Sequence, residues 1–137
     1  MKKKLTIFTD GGSRGNPGPA AIGYVVKDET GNVLIETGKA IGETTNNVAE
    51  YTAVIEALSW VKINLVNSIS SINFYLDSQL VVHQLNGLYK IKNAKLRELI
   101  IEVRKLEQAV GGNISYQHIP REENTRADFL VQEFSTQ

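Results

Sequence analysis

The segment that most restricts this chain is Leu5–Ala21, LTIFTDGGSRGNPGPAA. Leu5, Ile7 and Thr9 alternate with Thr6, Phe8 and Asp10, and residues of these types favour a pleated, half-buried strand. The run ends in an acid and opens at once into Gly11, Gly12, Gly15 and Gly18, with Pro17 and Pro19 among them. Glycine takes backbone conformations that other residues resist, so a tight loop is expected straight after Asp10. An acid fixed at the carboxyl end of a central strand is a rigid mounting for a metal ligand; in an isolated hairpin the same residue is only a turn former. Both readings stay open on this segment alone. Two phosphate-binding readings do not. No Gly-Lys-Ser/Thr follows, and what comes after the glycines reads as a strand rather than a helix, so P-loop and dinucleotide fingerprints both fail.

The remaining pattern supplies the context for Asp10. Ala20–Lys27 reads as a second strand, 28–32 (DETGN) as a hairpin turn and Val33–Ala40 as a third strand, giving an antiparallel meander. Thr45 or Asn46 is placed to cap a helix, and Val48, Tyr51, Val54 or Ile55, Leu58 and Val61 recur every three or four residues, which predicts a helix from Asn46 to Lys62. Ile72–Asp77 (INFYLD) reads as a fourth strand, again ending in an acid. A short helix from Ser78 to Asn86 is closed by Gly87, and Leu88–Asn93 reads as a loop. Leu96, Leu99, Val103, Leu106 and Val110 mark a longer amphipathic helix stopped by Gly111 and Gly112. Asn113–Ile119 is a fifth strand, and Thr125–Phe134 a last helix. The order βββαβααβα belongs to the α/β class, with a mixed sheet covered by helices.

Composition bounds the rest. A length of 137 residues suits one domain, 1–137. With no cysteine there is no disulfide, thiolate metal site or cysteine nucleophile. The opening Met-Lys-Lys-Lys precedes only a short apolar run, Leu5–Phe8, too brief for a signal peptide, and nothing later could span a membrane, so a cytoplasmic protein is expected. Fifteen basic and fifteen acidic side chains cancel, which counts against a strongly basic nucleic-acid binder but leaves room for a local basic patch.

Four acids sit at informative places: Asp10 and Asp77 at strand ends, Glu50 and Asp128 in the first turn or so of the two helices that begin near Asn46 and Thr125. If the first and fourth strands are parallel neighbours, all four meet at one edge of the sheet, where active sites of open α/β sheets favour the carboxyl ends. Each acid has a plainer explanation. Glu50 and Asp128 could serve the helix dipole, and Asp77 could cap the helix after it. Together those explanations weaken, because Glu50 and Asp77 lie among apolar neighbours where an unpaired carboxylate is costly. Hard oxygen ligands without cysteine and with few histidines point to Mg²⁺ or Mn²⁺ rather than zinc.

In these segments the chain resembles the type 1 ribonuclease H family: TDGGSRGNPGPAA around Asp10, TTNNVAEYTAVIEAL around Glu50, YLDSQLVV around Asp77 and HIPREENTRAD ending at Asp128. The resemblance runs nearly end to end. It implies a ribonuclease H-like fold with a mixed five-stranded sheet, and endonucleolytic cutting of the RNA strand of RNA–DNA hybrids to 5′-phosphate and 3′-hydroxyl ends. Asp10, Glu50, Asp77 and Asp128 would hold two divalent ions, with Asp10 central. His118, ten residues before Asp128, matches the family's histidine, suited to proton transfer or product departure, whereas His83 is expected to be structural. Asn16, Asn47 and Gln79 match the family's contacts to substrate, and Thr45 its threonine on a DNA phosphate. Two departures bear on affinity. LYKIKN, with Lys90 and Lys92 and then Lys95, stands where many relatives carry a Lys- and Trp-rich insertion, and Glu43 stands where they carry Arg. A monomer without a separate hybrid-binding domain is expected. The rival readings are a non-catalytic nucleic-acid-binding member of the fold and a nuclease that also accepts double-stranded RNA.

Overall fold

The computed structural model describes residues 2–135; Met1 and the last two residues, within the expected 1–137 domain, lie outside them. In chain order the elements are β1 (Lys3–Ser13), β2 (Gly18–Lys27), β3 (Val33–Thr44), α1 (Asn46–Leu65), β4 (Ile69–Leu76), α2 (Gln79–Leu85), α3 (Ala94–Val110), β5 (Asn113–His118), a 3-10 turn (Arg121–Glu123) and α4 (Thr125–Ser135). The strands form one mixed sheet in the order β3-β2-β1-β4-β5. β1 pairs antiparallel with β2 and parallel with β4, so Asp10 and Asp77 leave the sheet at the same edge.

Periodicity located the helices because burial enforces it. In α1, Tyr51, Val54, Leu58 and Val61 are fully buried, as are Ile7 on β1 and Phe74 and Leu76 on β4. Each such side chain contributes about 1.5–3 kcal/mol of gross burial energy. Leu96, Val103, Leu106 and Val110 of α3 are buried against this core, with Leu99 half-buried. Thr45 caps α1, its Oγ1 accepting from Val48 N at 3.2 Å, and Ser78 caps α2 in the same way at 3.3 Å. α1 runs one turn beyond the predicted Lys62, and β4 starts three residues before Ile72.

Two differences from the sequence reading concern the site. Gly11 and Gly12 are not loop: β1 continues through Gly11, Gly12 and Ser13, which pair with Ile22, Ala21 and Ala20, and the turn is confined to 14–17. β3 correspondingly extends past Ala40 to Thr44, because Gly18 and Pro19 pair with Thr44 and Glu43. Glycine is needed here for close approach. A Cβ on Gly11 would run into the backbone of Ala49 and Glu50 in α1. A Cβ on Gly23, the residue opposite Asp10, would lie 2.7 Å from Ala127 O and Leu130 Cβ in α4. Gly11 and Asp10 are adjacent on a strand and face opposite sides, so α1 and α4 press on opposite faces of the sheet around Asp10. Among the described residues, no helix is long and apolar enough to cross a membrane.

Candidate active site

Asp10, Glu50 and Asp77 converge. Each offers a carboxylate oxygen, and these oxygens all lie within 4.8 Å of one another. Asp10 is 2% exposed, Glu50 5%, and the Asp77 side chain 4%. Glu50 is the fifth residue of α1, beyond its first turn, so the helix dipole does not account for it. Its Oε1 accepts from Gly11 N at 2.5 Å, a contact that depends on the bare Gly11–Ala49 approach. Asp77 does not cap α2, since Ser78 does. Asp128, in the first turn of α4, completes the wall of a cleft of about 430 Å³ that also contains Asn47, Ser78 and Arg121.

Crowding shows in the titration of the central pair. Burial, then the charge of Asp77, push the Asp10 carboxyl up to about 7; a hydrogen bond from Glu50 and the nearby Arg121 oppose the rise. Burial, then the charges of Asp10 and Asp77, hold Glu50 well above the usual carboxylate range. Without an ion the two carboxyls therefore keep a proton between them near neutrality. Buried hard-oxygen donors that repel one another and face an open cleft suit a divalent cation, whose charge would relieve the crowding. Asp10, Glu50 and Asp77 fit that role, with Asp128 at the rim.

The other predicted residues are divided. Asn47 lines both the carboxylate cleft and a neighbouring groove of about 470 Å³, which also holds Asn16, Thr45, Asn93 and Lys95. Asn16 is partly used by the fold, its Oδ1 accepting from Asn46 N at 3.0 Å. Gln79 is the exposed first residue of α2, beside Ser78 on the cleft wall. His118 ends β5, paired with Leu76, and is exposed outside the cleft lining. His83 contacts Tyr89 with ring centroids 4.8 Å apart, consistent with a structural part.

Sequence reasoning missed three residues. Arg121 binds Asp128 Oδ1 at 2.9 Å and lies 3.6 Å from Asp77 Oδ1. Asn124, 1% exposed, donates from Nδ2 to Thr9 O at 2.9 Å and to Asp77 Oδ2 at 3.2 Å, tying the entry of α4 to both aspartate-bearing strands. Asn46 accepts from Ser13 N at 2.8 Å and ties the end of β1 to the start of α1. Arg121 and Asn124 both lie inside the HIPREENTRAD segment, the one signal that could have drawn attention to them.

The family described as reverse transcriptase-like matches residues 8–134. A bifunctional protein of Mycobacterium tuberculosis is 42% identical over 130 residues, 93% of this chain and 34% of its own length. A ribonuclease HI of Halobacterium salinarum is 40% identical over 130 residues, 95% of this chain and 63% of its own. This chain thus spans a third to under two-thirds of the length of these curated relatives. Among solved structures, the LC11 ribonuclease H1 in complex with an RNA/DNA hybrid superposes with a TM-score of 0.92 at 44% identity, covering 96% of each chain. Sheet order, four segments each presenting one acid to a common cleft, and these likenesses agree: the chain belongs to the type 1 ribonuclease H family, in a short form without the basic insertion.

Proposed function

We propose that the chain is an endoribonuclease that hydrolyses the RNA strand of RNA–DNA hybrids, leaving 5′-phosphate and 3′-hydroxyl ends. The observation that carries this is the convergence of Asp10, Glu50 and Asp77 within 4.8 Å, with Asp128 on the same cleft wall. The likeness to a relative solved with an RNA/DNA hybrid supports the substrate class. Asp10, Glu50, Asp77 and Asp128 would hold two Mg²⁺ or Mn²⁺ ions, which when bound supply the Lewis acidity and charge neutralisation that phosphodiester hydrolysis needs. The protein's own part is to hold those carboxylates fixed. Gly11 N anchors Glu50, and Asn124 anchors Asp77, so the donors are set before substrate arrives.

Substrate reading falls to the cleft and its neighbouring groove. Asn47 stands between them, placed to meet ribose hydroxyls in the shallow minor groove of a hybrid. Thr45 accepts from Val48 as a cap, which leaves its O–H to donate to a phosphate oxygen, with Lys95 beside it. Asn16 keeps its amide hydrogens for the same work, and exposed Gln79 extends the contact across the cleft. His118, outside the carboxylate cluster, is assigned proton exchange with solvent during product departure. In this reading residues 1–137 act as one catalytic domain, monomeric and cytoplasmic.

The test is a cleavage assay on labelled hybrid, duplex RNA, single-stranded RNA and duplex DNA, each with Mg²⁺ and with Mn²⁺. Divalent-dependent cutting of the hybrid, requiring several successive ribonucleotides, is expected. Equal cutting of duplex DNA, or full activity in excess chelator, would refute the assignment. Comparable cutting of duplex RNA would widen the substrate class to double-stranded RNA.

A further inference from the structure

Arg121 sits where a cation is wanted for another purpose. It opens the 3-10 turn before α4, and its guanidinium reaches Asp128 Oδ1 at 2.9 Å and Asp77 Oδ1 at 3.6 Å. The pairing is lopsided. The Asp77 side chain is 4% exposed, whereas that of Arg121 is 63% exposed, so the anion is fixed and the cation comes in from solvent. Asp77 Oδ2 is already engaged by Asn124, which makes Oδ1, facing Arg121, the oxygen left for a ligand. With its cation largely in solvent, the pair offsets the charge of the acids rather than packing α4 against the sheet. Gly23 and the apolar residues Ala127, Leu130 and Val131 do that.

Resting on the metal-site reading above, we propose that Arg121 is an internal counter-cation that competes with a divalent ion for Asp77 and Asp128. The physical basis is direct. A guanidinium beside the carboxylates neutralises them when no ion is present, and the same positive charge opposes the arrival of a dication. Its planar fork suits carboxylates and phosphates alike, so an entering phosphodiester offers it an alternative partner. Arg121 thereby sets how tightly the site takes up ions, as a positioning residue acting through Asp77 and Asp128.

The test is calorimetric titration of the full chain with Mn²⁺ alone, at low salt, for wild type, Arg121→Gln and Arg121→Ala, with chelator melts alongside. Removing the charge should tighten Mn²⁺ binding about three- to tenfold, the range expected for one charge near a dication in a partly solvated cleft. It should also lower the melting temperature in chelator, because the acids lose their counter-charge. A residue that only stiffened the turn would lower the melting temperature without tightening the ion. Equal or weaker Mn²⁺ binding by both variants would overturn the proposal while leaving the carboxylate site intact. Absence of Mn²⁺ binding by the wild type would overturn the metal-site reading itself, and this inference with it.

Discussion

Replacing Asp10 by Asn removes one charge from the centre of the cleft with almost no change in shape. The magnitude follows from the titration of the native carboxyl, raised to about 7 from an ordinary 3.8. In the unfolded chain the carboxyl ionises near 3.8, but the fold keeps it protonated up to about 7. Stability tied to Asp10 is therefore fully present below pH 4, falls as pH rises through the window between these values, and is flat above it. The whole span corresponds to about 4 kcal/mol as a ceiling. Local relaxation and water entry into the cleft reduce it, so Asp10→Asn should stabilise the ion-free protein at pH 7.5 by about 1–3 kcal/mol. For a domain of this size that is a rise of roughly 3–10 °C in melting temperature. Cleavage should be abolished. Thermal melts of both proteins in chelator at pH 4.5 and 7.5, and in Mg²⁺ at pH 7.5, give the measurement. The gap should shrink to about a quarter at pH 4.5, where the native carboxyl is neutral but the unfolded one has begun to ionise, and narrow in Mg²⁺, which binds the folded wild type more strongly. An Asn variant less stable than wild type in chelator at pH 7.5 would show that Asp10 is a structural acid held by its hydrogen bonds, and the crowded-carboxylate account would fall.

Other outcomes are expected. His118→Ala should slow turnover but leave substantial activity, far more than Asp10→Asn leaves, because general acid–base groups contribute about 10²–10⁴-fold and this one lies outside the cluster; steady-state rates on the hybrid decide it, and a loss as deep as that of Asp10→Asn would give His118 a larger role. Hybrid affinity measured against salt in Ca²⁺ should give a log–log slope shallower than that of an insertion-bearing relative by about 0.7–0.9 for each phosphate contact lacking; an equally steep slope would mean that Lys90, Lys92 and Lys95 replace the insertion in full. Gly11→Ala should destabilise the fold by about 1–3 kcal/mol, since its Cβ would collide with the α1 backbone. It should also weaken Mn²⁺ uptake by displacing Glu50; denaturant melts and calorimetry check both, and normal ion binding would show that Gly11 does not position Glu50.

Much of this architecture is written in local patterns. The core face of α3 was legible because Leu96, Val103 and Leu106 repeat with the helix, and the cap at Thr45 because a hydroxyl precedes α1; the cap of α2 falls to Ser78 rather than to Asp77, whose carboxylate is drawn into the cleft. The four acids were legible because each closes or opens a recognisable element. What escaped depends on partners far away in sequence. Gly11 and Gly12 look like loop residues because glycine is flexible, but both continue β1, and Gly11 leaves room beside the strand for the Ala49 backbone. Glu50 looked like a first-turn acid because the start of α1 is not sharply marked among Thr45, Asn46 and Asn47. Arg121 and Asn124 escaped because a polar stretch after a proline reads as solvated loop until the fold brings it against Asp77 and Thr9.

The close contacts at Gly11 and Gly23 have a mechanical consequence. With α1 approaching the backbone at Gly11 and α4 at Gly23, the sheet around Asp10 is braced closely on both faces. Asp10 and Glu50 then behave as one stiff side of a caliper, held by main-chain contacts, with Asp77 held against them by Asn124. A caliper of fixed width discriminates by ionic radius: Mg²⁺ accepts oxygens at about 2.0–2.1 Å, whereas Ca²⁺ wants about 2.3–2.6 Å and more of them. Ca²⁺ should therefore enter the cleft without drawing the acids into the spacing that hydrolysis needs, which makes it the ion for binding measurements that must leave the substrate whole.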